Sequence, residues 1–510
     1  MKINKYIGIL LGILLCVSAC QNESLEDTYK DYSGNGEIRY IGKCTDLLIQ
    51  PGWKRLIVTW ENNIDPIIRK IKVKWAQDGV RDSVLLERGV TEYSIECMNG
   101  KELEDGNYEV SVSGVDMNGN SSIETTLFAR PYTYAHEEVL GFNRLIAKSY
   151  VVKNRLILYF LQWQSNMEKA ELSYTKKDGS PGNLELTKAV VNKLYFLLPD
   201  EIDPAKPIIL NRRGKLPGCE DVIDFEPYEY SSARIFEADF KQEMRRQYGF
   251  DDEIPAEWAD NVETLYLDWP IRSFDDILNL PNLKKLVLGS RRYLIPESSA
   301  NDKAYRKSNV SERAASNFAL KVMHELNGLT VERYNEHFQN ITKTDFIEDK
   351  GNTNVEPDIT PLDLTGLKIT MLPEDEEGFS SGLENLVDGD YTTSWDPMYL
   401  SLFTTYEFTL DLNELKKLSG LRLVQKQFSR DFENSVAPEM IIIKVSKDKV
   451  HWENATYVEE NPLGRSNGEI NYVPFSKEVK ESEYRYVRLT ISAGSYTKFY
   501  YSGIAEIGLY

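Results

Sequence analysis

Two late segments are rich in groups that can hold a polar ring: Gln427, Phe428 and Arg430 in one, and Tyr496, Phe499, Tyr500 and Tyr501 in the other. Aromatic faces that cover C–H surfaces, beside amide and guanidinium forks that reach paired hydroxyls, are what carbohydrate binding requires. Tyr500 or Tyr501 can equally well fill a core. Signals for catalysis are poorer. Gly378-Phe379-Ser380-Ser381-Gly382 spells a nucleophile-elbow pattern, yet it follows an acidic Pro-Glu-Asp-Glu-Glu loop, and no helix opens after it, so it reads as a chance match. His136, His324, His337 and His451 are scattered over three candidate domains, which disfavours a histidine-centred triad or zinc site. A glycosidase-type carboxylate pair, about 5 to 10 Å apart, could hide among the 80 acidic residues. The only stretch without a domain type to receive it is 231–357.

At the N-terminus Lys2 and Lys5 precede an uncharged run at residues 6–17. That is a secretion signal, too short to cross a bilayer, which takes about 20 apolar residues. Val17-Ser18-Ala19-Cys20 resembles the lipobox of bacterial lipoproteins. The resemblance implies cleavage before Cys20 and a diacylglycerol on its thiol, leaving residues 20–37 as a polar, acidic tether. Removing Cys16 and Cys20 leaves Cys44, Cys97 and Cys219, which cannot all pair. Cys44 and Cys97 share a candidate domain, so a bridge and buried free thiols both stay open. No spacing reads as a zinc site.

At 510 residues the chain should form three to five domains of roughly 100 to 150 residues, and 41% hydrophobic residues with 11% aromatic suffice for packed cores. The formal net charge of −20 disfavours nucleic acid and anionic lipid surfaces, which need clustered Lys and Arg. A neutral glycan meets no such objection.

The elements that must position these groups read mainly as β. Leu56, Val58 and Trp60 alternate, as do Ile71, Val73 and Trp75, then Tyr108, Val110 and Val112, with turn signals at Gln77-Asp78-Gly79, Glu104-Asp105-Gly106-Asn107 and Met117-Asn118-Gly119-Asn120. This predicts an immunoglobulin- or fibronectin-like β-sandwich over 38–131. A second sandwich is expected over 132–230, where Arg155-Leu156-Ile157 repeats the phrase Arg55-Leu56-Ile57. In 231–357, Val262, Leu265 and Leu267 recur 21 residues on as Leu283, Leu286 and Leu288, with Phe274, Ile277 and Leu280 between. The spacing resembles a leucine-rich repeat; two copies are too few for a solenoid, so a small α/β module is expected. Phe318, Val322, Leu326 and Tyr334 then follow at helical spacing, and residues 348–361 read as a linker.

Over residues 26–230, Tyr29-Lys30-Asp31-Tyr32, Gly36-Glu37-x-x-Tyr40, Pro51-Gly52-x-x-Arg55-Leu56 and Asp82-Ser83-Val84 resemble an uncharacterised domain family of Bacteroidetes surface lipoproteins. Such proteins often sit in glycan-utilisation gene clusters. In them, acidic residues after the lipidated cysteine favour export to the outer face of the outer membrane.

The segment 358–510 is similar to the discoidin family, also called coagulation factor 5/8 type C. The phrases that carry this are Asn385-Leu386-Val387-Asp388-Gly389-Asp390-x-x-Thr393-x-Trp395, Leu410-Asp411-Leu412, Val445-Ser446-x-Asp448-x-x-x-Trp452, Tyr486-Val487-Arg488-Leu489 and Ile504-Ala505-Glu506-Ile507. Alternation at Tyr406, Phe408, Leu410 and Leu412, at Leu421 and Leu423, and at Tyr484, Tyr486 and Leu489 agrees with a β jelly roll. The resemblance buries Trp395 and implies a structural calcium on Asp388, Asp390, Thr393 and Glu506. It also implies sugar contacts in the loops of Gln427, Phe428 and Arg430 and of Tyr496 and Tyr500. Lys449 stands where the family carries glycine, and since it does not readily take positive φ, another turn type is expected there.

The expectation is a non-enzymatic, lipid-anchored outer-membrane protein that faces the exterior and binds extracellular glycan through its C-terminal module, with an outer-membrane transporter or other surface lipoproteins as partners. An adhesin or assembly protein that binds a partner protein is the first alternative, and a glycoside hydrolase is the second.

Overall fold

The computed structural model describes residues 40–231, 233–295, 307–351, 359–372, 382–396, 405–427, 437–492, 494–496 and 499–510. Cys20 therefore lies outside the described residues, as do Phe428, Arg430 and all of the 378–382 motif except Gly382. The fold is mainly β and multi-domain. The chain divides into two compact units: one runs up to Asn143 and adds Gln164–Ala170 and Asn211–Pro227, while the other comprises Arg144–Trp163, Glu171–Leu210 and Tyr228–Tyr510.

In the first unit the alternating runs become a two-sheet antiparallel sandwich. Thr45–Gly52, Arg55–Glu61 and Glu92–Ile95 form one sheet, and Val80–Glu87, Lys70–Gln77, Tyr108–Val115 and Thr125–Ala129 the other. Leu56, Val58, Trp60, Ile71, Val73, Trp75, Val110 and Val112 fill the space between the sheets. Asp78 and Gly79 both take positive φ (47° and 83°), the conformation a two-residue hairpin needs, and Gln77 pairs with Val80 around them. Cys44 and Cys219 are buried and Cys97 is exposed, and all three are free thiols.

In the second unit, Ile146–Val152, Arg155–Phe160 and Tyr195–Glu201 form an antiparallel sheet in which Lys153 and Asn154 make the hairpin turn at positive φ. The repeated phrase has a structural echo. Arg55 pairs with Gly52 and Leu56 with Pro51, just as Arg155 pairs with Val152 and Leu156 with Val151, and each hairpin has a register shift near its far end.

The same unit holds four parallel strands, Thr264–Leu267, Lys285–Leu288, Thr330–Tyr334 and Ile347–Gly351, in that order. Leu265, Leu286, Val331 and Ile347 lie side by side and share one core with the helix Arg313–Asn327 and with Tyr150, Ile157 and Tyr159. Two expectations are corrected here. Tyr334 ends a strand instead of continuing the helix, because Gly328 in the left-handed conformation stops the helix six residues earlier. Residues 348–351 of the expected linker are strand. The stack also has two strands more than the 21-residue spacing revealed.

The C-terminal jelly roll closes the unit. Its larger sheet is Lys368–Leu372, Thr405–Lys417, Glu483–Ser492 and Met440–Ser446, extended by the short strands Glu453–Asn454 and Asn461–Pro462. The other is Arg292–Leu294, Glu469–Pro474, Gly420–Gln425 and Ile504–Leu509. Its first strand thus comes from residues far upstream, expected to belong to the middle module. Trp395 is fully buried, with Tyr406 and Phe408 edge-on to it at 5.0 and 4.7 Å. Alternation fails at Tyr486, which is half-buried while Val487 faces the core, because the register slips between Asp411 and Lys416. Lys449 does adopt positive φ, 67°. The Ser446 hydroxyl accepts its N–H at 3.0 Å, and Asp448 Oδ1 accepts those of Val450 and His451 at 2.8 Å, so the loop holds lysine in a conformation that its side chain disfavours.

Candidate functional site

The segment carrying Asp388, Asp390 and Thr393 follows a 3-10 turn, Leu383–Val387, and folds on its own side chains. Gly389 has φ 79°, which explains glycine between two aspartates. Asp388 Oδ1 accepts the Asp390 N–H at 2.8 Å, and Thr393 Oγ1 donates to Asp388 Oδ2, also at 2.8 Å. Asp390 Oδ1 accepts the N–H and hydroxyl of Thr392 at 2.9 and 2.7 Å, and these bonds lower its pKa. From the strand Ile504–Leu509, Glu506 Oε2 accepts the Gly389 N–H at 3.3 Å and so fastens the loop to the sheet. Burial raises the Glu506 carboxyl to about 7; the charges of Asp388 and Asp390 add to this, while the Gly389 N–H and Arg422 oppose it. Arg422 covers the ring of Tyr391 at 4.8 Å and hydrogen-bonds its hydroxyl, a second fastening that the motif residues did not reveal.

The structure thus brings together all four residues expected to hold calcium. Their donors are hard oxygens, the kind calcium takes six to eight of. No three acidic, histidine or cysteine side chains converge as a metal cage among the described residues. A cation here would rest on Asp388 and Glu506, with Thr393 Oγ1, backbone carbonyls and water completing the shell.

Among the expected sugar contacts, Gln427 is half-buried just after the strand Gly420–Gln425 and lies over Gly468. Tyr496 and Tyr500 fall on opposite arms of a two-stranded hairpin, Gly494–Tyr496 with Phe499–Tyr501, where Tyr500 pairs with Ser495. Their side chains lie outside what is described.

Two buried polar groups were missed in the sequence. Arg292 Nε reaches Glu469 Oε1 at 2.9 Å in an ion pair only 4% and 0% exposed. Arg292 also donates to Ser308 Oγ at 2.7 Å, and His337 Nδ1 accepts the Ser308 N–H at 2.9 Å. Gly464 makes room, since a Cβ there would fall 1.8 Å from Glu469 Oε1. In the middle module, Asp275 accepts from Lys148 at 2.7 Å and from Tyr150 at 3.1 Å. Burial would raise Asp275, but those bonds and that of Ser273 hold it low, whereas burial pushes its neighbour Asp276 up to about 8. A split carboxylate pair resembles acid–base machinery. Both are 1% exposed, however, so they present no face to a substrate.

Residues 20–202, less than half of the chain, match the model of DUF4998, a domain of unknown function. None of the curated proteins matches the chain. Among solved structures, a CBM32 module from a family 31 glycoside hydrolase of Clostridium perfringens is similar at 22% identity, over 29% of this chain and 94% of that one, with a TM-score of 0.24. An F5/8 type C domain from Bacteroides fragilis is similar at 16% identity, over 30% and 95%, with a TM-score of 0.23. A two-domain fibronectin type III segment of chicken tenascin is similar at 13% identity, over 37% and 98%, with a TM-score of 0.18.

Proposed function

We propose that this is a lipid-anchored outer-membrane protein, facing the exterior, that binds extracellular glycan through its C-terminal jelly roll and catalyses no reaction of its own. The observation that carries the reading is the loop of Asp388, Asp390 and Thr393 latched to the strand of Glu506, a contact between the first and last of the discoidin-like phrases. In this reading a calcium ion held by Asp388, Asp390, Thr393 and Glu506 stiffens the loop, while Arg430 and the ring of Tyr500 supply the fork and the face for a sugar. The anchor on Cys20 holds the protein beside a transporter or other surface lipoproteins in a glycan-utilisation system.

The test is calorimetry and a glycan array on the soluble Cys20→Ala chain, with and without calcium. Sugar hydroxyls exchange water hydrogen bonds for about as many protein ones, so affinity per site should be modest, about 4 to 6 kcal/mol. Removing the Tyr500 ring with Tyr500→Ala should cost roughly 1 to 3 kcal/mol from the lost apolar contact. Calcium should raise the melting temperature of the second unit, and chelator should reverse the rise. A silent array together with capture of a partner protein would replace this reading with the adhesin one.

A further inference from the structure

A separate cavity of about 380 Å³ opens in the second unit, lined by Arg144, Lys148, Tyr150, Tyr228, Tyr230 and Glu237 among others. Small-ligand clefts run from roughly 300 to 1,000 Å³. Its floor is the strand Ile146–Val152, outermost in its sheet, and its wall is the strand Tyr228–Tyr230, which pairs with Ile208–Leu210. Tyr228 and Tyr230 stand two residues apart on one strand, so they share a face. Their rings meet at 79° with centroids 4.8 Å apart.

The charges in this cavity are unequally satisfied. Lys148 Nζ lies 2.5 Å from Glu237 Oε1 and 2.7 Å from Asp275 Oδ2, so its charge is neutralised. Arg144 instead lies over Tyr228, its guanidinium carbon 3.9 Å from the ring centroid, and among the described residues it pairs with no carboxylate. The Tyr230 hydroxyl donates to the Arg144 backbone carbonyl at 2.8 Å and fixes where that residue leaves the chain. A guanidinium held over a ring and without an anion presents a planar fork suited to a carboxylate.

We propose that this cavity binds an acidic sugar, with the sugar's carboxylate on Arg144 and its ring against the Tyr228–Tyr230 pair. The site is distinct from the C-terminal module and does not rest on glycan binding there. An overall charge of −20 disfavours anions in general, so selection of an acidic ligand must come from this one fork.

The test is titration of the Cys20→Ala chain with a panel of uronate- and sialate-terminated oligosaccharides, each beside its methyl ester, which keeps the shape and removes the charge. At least one free acid should bind at least tenfold more tightly than its ester. Arg144→Gln should erase that difference, Arg144→Lys should restore part of it, and Tyr228→Ala should weaken acid and ester alike, all with unchanged melting temperature. Which arm responds tells plant-type uronates from host-type sialates. Acid and ester binding equally, an unchanged difference in Arg144→Gln, or silence of every acid in the panel would each overturn the proposal. Neutral glycans in the same run score the C-terminal module separately.

Discussion

Asp276 and His337, both buried in the second unit, titrate in opposite directions. Burial, with the charges of Asp275 and Glu237 and against that of Lys148, lifts Asp276 from its ordinary 3.8 to about 8. Burial, reinforced by Arg292 and Lys307, lowers His337 from 6.5 to about 3. An acid whose folded pKa is raised contributes stability that is complete below its unfolded pKa and is lost as pH climbs toward 8. A base whose folded pKa is depressed contributes stability present above 6.5 and lost as pH falls toward 3. Between pH 4 and 6.5 the two slopes, each about 1.4 kcal/mol per unit, oppose one another. Above 6.5 the Asp276 slope is unopposed by His337 and is joined up to about pH 7 by that of Glu506, and from 6.5 to 8 Asp276 should account for a fall of about 2 kcal/mol. Asp276→Asn keeps the acceptor for the Glu237 N–H, bonded at 3.0 Å, but cannot ionise. Urea unfolding at pH 6.5, 7.3 and 8 should show a steeper decline in the parent than in the variant, which keeps only the Glu506 contribution below about pH 7; equal slopes would remove Asp276 as the cause.

Individual strands were legible where one face is buried and the turn is local. Leu56, Val58 and Trp60 alternate because every second side chain enters the core, and Asp78-Gly79 can take the double positive φ of a hairpin. Legibility ended where pairing is distant or repeats are interrupted. Thr330–Tyr334 and Ile347–Gly351 complete the parallel stack, but the helix Arg313–Asn327 breaks the 21-residue spacing before them. Three residues, Arg292–Leu294, are too short to show a period, and Glu469, which meets Arg292, lies 177 positions later. For the candidate site, the four residues expected to hold calcium could be singled out because family phrases carry them, whereas Arg144, Tyr228 and Tyr230 share no motif and meet only through folding. The upstream strand makes a prediction of its own. A fragment of residues 358–510 lacks one of the two partners of Glu469–Pro474 and leaves Glu469 without its arginine, so its near-ultraviolet circular dichroism should be weak, whereas residues 231–510 restore it. In the whole chain, Arg292→Met should cost roughly 3 to 5 kcal/mol, the usual penalty for an orphaned buried charge. A well-ordered short fragment would show the strand to be dispensable.

The molecule joins a sandwich unit and a larger unit in which a parallel stack and a jelly roll share structure. No helix among the described residues is long and apolar enough to cross a membrane. The proposed anchor is the lipid on Cys20. Cys20→Ala should abolish fatty-acid labelling and move the protein from the membrane fraction to the soluble one. A variant that is still labelled or still sedimenting would place the anchor elsewhere. With lipid in place and −20 charges on the chain, neighbouring copies repel within about a Debye length, near 8 Å at physiological salt. Clustering on the surface therefore needs a multivalent glycan or a partner protein.

The strand Arg292–Leu294 also sets an order of events. In synthesis from the N-terminus this strand emerges long before Gly420–Gln425, Glu469–Pro474 and Ile504–Leu509, the strands of the sheet it will join. Until they arrive, Tyr293, later buried with its hydroxyl 2.9 Å from that of Tyr472, is an apolar edge with nowhere to go. Closing so long a loop is slow, and the waiting edge is open to pairing with other chains. Folding of this protein should therefore depend on holding chaperones, and a chain truncated after the parallel stack should aggregate.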